Sequence, residues 1–193
     1  MTTVQTKLLT AEDFYEWANR PENRGRVCEL ERGRIVEMSR PGKLHGMICA
    51  NVVGILGNYT AQRKKGYVCS NGTGVIVGRD PDTVRGPDVL LFEDAESVEQ
   101  VEEKYGETPP VLAVEVLSPN DTHGKVMRRV LELFEFGTRL IWVLDPDARN
   151  VIVHYPGNKD RVVEASQELT GNDFLPDFRC RVADFFAMPN AVS

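Results

Sequence analysis

The chain has 193 residues, a formal charge of −6 from 23 basic and 29 acidic side chains, and a hydrophobic fraction of 41%. That composition fits a globular unit able to bury a core, expected to be one domain over residues 1–193. No apolar stretch approaches the roughly 20 residues of a membrane-spanning helix. The net charge argues against broad, non-specific nucleic-acid binding, which leaves a basic footprint.

In chain order, Thr10 followed by acids predicts a capped short helix that ends before Pro21. "RVCELERGRIVEMS" holds two β-like runs around Glu31-Arg32-Gly33 and reads as a hairpin. From 44 to 65 the residues Met47, Ile48, Val52, Ile55, Leu56 and Tyr59 recur at helical spacing, and Arg63-Lys64-Lys65 before Gly66 marks the helix end. Extended segments follow at 67–70, 74–77, 88–92 and 111–116, with an acidic loop, "EDAESVEQVEEKYGETPP", before the last. A second helix is expected over 122–136, capped by Asp121 and ended by Gly137. "RLIWVLD" and "NVIVHY" read as paired strands, then a final strand and hairpin and a closing helix at 182–186. The order implies an α/β fold with a central mixed sheet. Trp142, Phe134 and Phe136 are expected to be packing residues.

Several chemistries find no pattern. Cys28, Cys49, Cys69 and Cys180 are widely spaced without a CxxC pair, so neither a zinc site nor a disulfide framework is indicated. There is no GxSxG elbow for a serine hydrolase, and "SNGTGVIVGRD" lacks the order of a phosphate-binding loop. Ser118 is expected to start a turn or help cap the helix. Two Asn-x-Thr triplets, at Asn58 and Asn71, are read as chance because the first residues lack the layout of a secretory signal. A cytoplasmic location is the expectation.

Two acids stand in strand positions. Glu115 interrupts the apolar run "VLAVEVL", where an unpaired charge is too costly to be casual. Asp88 opens "DVLLF", and if the two strands are neighbours both carboxylates converge at one sheet edge. With the Val116 carbonyl they would form part of an oxygen cage for Mg²⁺, Mn²⁺ being a possible substitute. Equally, Asp88 could cap the Pro87 turn and Glu115 could pair with an arginine. Lys125, Arg128 and Arg129 on the following helix are candidate cations, and Lys125 and Arg129 share a helix face.

"YEWANRPENRGRVCELERGRIVEMSRPGKLHG", "VRGPDVLLF", "PPVLAVEVLSPND" and "GTRLIWVLDPDARNVIVHY" together resemble the Uma2 family, also called DUF820, over about residues 9–186. The family consists of endonucleases of the restriction-endonuclease-like PD-(D/E)XK superfamily. The resemblance implies an α/β/α core with a central mixed sheet, an N-terminal hairpin and flanking helices. Asp88 then matches the motif's aspartate and Glu115 its (D/E), both as metal ligands. Glu29 would approach the same site, and His45 would be polar support. The motif's lysine position is Leu117. Members of this kind carry the lysine on the next helix, where this chain has Arg129.

The resemblance therefore implies a Mg²⁺-dependent DNA endonuclease, with Lys125 or Arg129 as the catalytic cation. Lys125 is slightly favoured, because helix neighbours one turn apart reach a common point. A homodimer is expected, since DNA cleavage by single domains of this type uses two sites. The shifted cation and the acidic charge leave open a weakened or non-catalytic module that binds nucleic acid or a protein partner.

Overall fold

The computed structural model describes residues 7–119, 121–157 and 159–188. Helix α1 (Ala11–Ala18) is closed by a capping box in which the Thr10 hydroxyl accepts from the Asp13 N–H and the Asp13 carboxylate accepts from Thr10. Strands β1 (Cys28–Glu31) and β2 (Arg34–Glu37) form the expected hairpin. Its two turn residues, Arg32 and Gly33, both have positive φ, the twist-matched geometry of a tight hairpin loop.

Helix α2 (Lys43–Arg63) buries Ile48, Val52, Leu56 and Tyr59 and ends at a left-handed Lys64. Then come β3 (Tyr67–Ser70), β4 (Val75–Gly78), β5 (Thr83–Arg85), β6 (Val89–Phe92) and β7 (Leu112–Val116). Helix α3 (His123–Phe136) leads to β8 (Leu140–Asp145) and β9 (Asn150–His154). Strands β10 (Arg161–Val163), β11 (Glu168–Gly171) and β12 (Leu175–Arg181) precede a closing 3₁₀ turn, Val182–Phe186. Among the described residues no helix is long and apolar enough to cross a membrane.

The central sheet has the order β10-β9-β8-β7-β6-β3 and is mixed, as expected. Its one parallel pair, β7 with β8, is bridged by α3, and the other neighbours are antiparallel. Both faces are covered, which is why the strands read as continuous apolar runs. Val89, Leu91, Leu112, Val114, Trp142 and Leu144 face α2 and the closing turn. Leu90, Phe92, Ala113, Ile141 and Val143 face α3. Trp142 is fully buried against Phe178 and Phe185, a packing role as expected.

Two differences from the sequence reading matter. The N-terminal hairpin is half of a separate antiparallel sheet, β2-β1-β5-β4, with its own core of Ala11, Phe14, Leu30, Ile76 and Val84. Strand β5 was not expected, because "DPDTVRG" is polar and proline-bearing; it forms by pairing with β1 and β4 at once. Asp121 does not cap α3. Thr122 holds the cap position without a side-chain bond, and the Asp121 carboxylate accepts the Ser118 N–H at 2.8 Å instead. The side chain of an Asp at such a position can bond to backbone on either side, and here the turn before the helix takes it.

Candidate active site

Strand β6 delivers one acid and β7 the other. The β6–β7 register pairs Val89 with Val114 and Leu90 with Ala113, so one further step sets Asp88 opposite Glu115. Glu115 shares the face of Ala113, two residues earlier, which packs towards α3. Asp88 is fixed by the backbone of the neighbouring strand, its Oδ2 accepting the Val116 N–H at 2.7 Å. Both residues line a cavity of about 780 Å³ together with His45, Cys49, Val116 and Arg129.

The cation beside Glu115 is Arg129. Its Nε and Nη2 donate to Glu115 Oε1 at 3.0 and 2.9 Å. The guanidinium also reaches Glu29, 3.1 Å from Oε1 and 3.2 Å from Oε2. Glu29 is buried on β1 and is occupied further, by Arg85 Nη1 at 3.0 Å and the Gly86 N–H at 3.0 Å. Arg85 continues to Glu132 on α3 through Nε at 2.7 Å and Nη2 at 3.1 Å. A chain of alternating charges thus runs Glu115–Arg129–Glu29–Arg85–Glu132, and it ties the small sheet to α3. Gly86 belongs to this junction by necessity, since a Cβ there would lie 2.7 Å from the Gly72 carbonyl oxygen.

Burial raises the pKa of Glu115, and the nearby Asp88 and Glu29 charges raise it further against the opposing pull of Arg129. On the other side of the cavity, His45 Nε2 lies 3.3 Å from Asp88 Oδ2 and Nδ1 lies 3.4 Å from Cys49 Sγ. Contact with Asp88, then with Cys49, raises the imidazole pKa to about 10 despite partial burial. In the absence of a competing ion His45 is therefore a cation at neutral pH, and it offsets Asp88.

The residues singled out from sequence fall into two groups. Asp88, Glu115, Glu29, His45, Val116 and Arg129 meet at or beside the cavity. Lys125 does not line it; the side chain is exposed in the first turn of α3, while Arg129 one turn later is only 18% exposed. Glu29 is engaged by two arginines and a backbone N–H, which makes it a strut for Arg129 and Arg85. Sequence reasoning missed Arg85, Glu132 and Cys49. Cys49 carried a visible signal, four residues after His45 on one helix face, whereas Arg85 lay between the extended segments expected at 74–77 and 88–92.

As a donor set, Asp88 and Glu115 suit a hard divalent ion. The hydrogen bonds to Asp88 fall on Oδ2 and those to Glu115 on Oε1. Among the described residues Asp88 Oδ1 and Glu115 Oε2 carry no protein hydrogen bond. Two adjacent carboxylates, each with one oxygen uncommitted, are the oxygen donors that Mg²⁺ accepts.

A family model described as Uma2, "Putative restriction endonuclease", matches residues 11–183. No curated protein matches. A crystal structure of a "putative nuclease belonging to DUF820" from Anabaena variabilis superposes with a TM-score of 0.74 at 22% identity, covering 92% of this chain and 97% of that one. That likeness extends the shared fold across the sheet and the helices that build the cavity. Since the family model spans nearly all of the described residues, the chain belongs to the Uma2 family of nuclease-like proteins.

Proposed function

We propose that the protein is a Mg²⁺-dependent endonuclease that hydrolyses phosphodiester bonds in DNA. Asp88 and Glu115, with the Val116 carbonyl, are the residues that would hold the ion, and Arg129 is the cation of the site. The observation that carries this reading is the pair of carboxylates set opposite one another across β6 and β7, each with one oxygen uncommitted. A divalent ion bound there would neutralise phosphate charge and lower the pKa of a water molecule.

The chain's own groups supply orientation and electrostatics. Arg129 grips one oxygen of Glu115 through two N–H groups, so the carboxylate is held before substrate arrives. Its guanidinium stays protonated, so it stabilises developing phosphate charge and takes no proton from water. Glu29 and Arg85 hold Arg129 in place from behind. The exposed Lys125 is the alternative cation, and it would have to swing inward to act. Cleavage of both strands calls for two such cavities, which favours a homodimer acting in the cytoplasm.

Nicking of supercoiled plasmid tests the proposal. Wild type should cleave with Mg²⁺ or Mn²⁺ and stop on chelation, and Glu115→Gln should be inactive while folded. A second reading, a non-catalytic module binding nucleic acid or a protein partner, is favoured by the two bonds from Arg129 to Glu115 and by Leu117 at the motif's lysine position. Purified wild type that binds DNA but cuts none under any divalent ion would establish that second reading.

A further inference from the structure

We propose that His45, Cys49 and Asp88 form a binding site for a borderline divalent cation of the zinc class, distinct in chemistry from the hard-ion pair of Asp88 and Glu115. The three residues each offer a donor atom, and these atoms lie within 4.8 Å of one another. A tetrahedral zinc ion with bonds of about 2.0–2.3 Å separates its ligands by about 3.3–3.8 Å. The 3.3 Å from His45 Nε2 to Asp88 Oδ2 already matches that spacing, and with all three donor atoms inside 4.8 Å the remaining separations need close by no more than about 1 Å to reach it.

The cluster follows from the fold. His45 and Cys49 stand four residues apart near the start of α2, so they share one helix face. Asp88 arrives from the residue before β6, and its carboxylate is anchored by the Val116 N–H. All three side chains are half-buried and line the cavity, so the group is reachable by an ion yet shielded from bulk water. A thiolate and an imidazole are softer donors than the carboxylates that serve Mg²⁺, and together they select zinc-like ions. Three protein ligands leave a fourth position for solvent. One imidazole nitrogen binds the ion, the other keeps its N–H, and loading releases the thiol proton and the extra imidazolium proton to water.

Asp88 belongs to both donor sets. A zinc-class ion therefore withdraws it from the hard ion, and occupancy of the softer site would silence cleavage. That consequence rests on the nuclease reading; the site itself does not.

Cobalt(II) reports the coordination directly. The reduced, metal-free protein, titrated with Co²⁺, should develop tetrahedral d–d bands and a sulfur-to-cobalt charge-transfer band at one equivalent, and Zn²⁺ should displace both. Cys49→Ser and Cys49→Ala should remove the charge-transfer band, whereas Cys28→Ser, at a cysteine lining the same cavity, should keep it. His45→Gln should weaken binding at least about tenfold, the loss that even an outer-shell change produces. A band that survives both Cys49 variants, or no thiolate band in wild type, overturns the site. X-ray absorption on the zinc-loaded wild type needs no variant. A single sulfur at about 2.3 Å supports the assignment, and a shell of nitrogen and oxygen alone refutes it. Failure of plasmid nicking would leave these spectra unchanged, so the two readings fail separately.

Discussion

The two walls of the cavity handle charge in opposite ways. On the α3 wall, Glu115, Glu29 and Glu132 are each engaged by an arginine at 2.7–3.2 Å. On the α2 wall, His45, Cys49 and Asp88 meet through contacts of 3.3 and 3.4 Å. A buried charge must be paired to be tolerated at all, so the first wall is chiefly architecture, and Glu115 is the one carboxylate on it proposed to bind an ion. The second wall is half-buried and loosely joined, the condition in which donor atoms accept a ligand without dismantling the fold.

The largest effect comes from breaking the saturated wall. Arg85→Met takes the arginine from the part-exposed Glu132 and leaves the buried Glu29 with Arg129 and the Gly86 N–H alone, and should cost about 1–3 kcal/mol in chemical denaturation; a loss below about 1 kcal/mol would mean that water already penetrates the network. Arg129→Met should destabilise comparably and abolish nicking. Adding Glu115→Gln to it should recover part of the stability, because the second change removes the stranded charge. Strict additivity of the two changes would deny that they are coupled.

A smaller effect belongs to the open wall. The His45 pKa is raised from the ordinary 6.5 to about 10, so folding gains from its protonation. That stability is fully present below pH 6.5 and is lost as pH climbs towards 10. The unfolding free energy of the metal-free protein should decline through this window, and His45→Gln should flatten the decline. An unchanged slope in the variant would remove His45 from the account of Asp88.

The smallest effect is expected at Lys125. Lys125→Ala should alter stability by no more than about 0.5 kcal/mol, as exposed substitutions do, and leave nicking near wild type. A fall of about 100-fold or more, the scale of a lost proton-transfer group, would transfer the cationic role from Arg129 to Lys125.

Much of the site was legible from sequence because its determinants are local. The apolar run around Glu115 announced a strand covered on both faces, and the unpaired charge within it called for a cation nearby. Arg129 could be named because it lies on the following helix. What stayed hidden depended on pairing across the chain. Strand β5 exists because β1 and β4 flank it, and Arg85 is buried because Glu29 and Glu132 reach it from two other elements. No window of sequence contains those partners. Asp121 failed differently, since two local hydrogen bonds competed for one carboxylate and sequence alone does not rank them.

The antiparallel register of β6 and β7 has a consequence for how this family can vary. The distance between the two acids is set by a ladder of backbone hydrogen bonds, not by the connection between the strands. Residues 93–110 can therefore lengthen, shorten or change composition without moving one carboxylate relative to the other. A single residue inserted within either strand would instead turn its acid to the opposite face of the sheet. The connection can thus drift while the spacing of the acids stays constant, like a gauge cut into the frame.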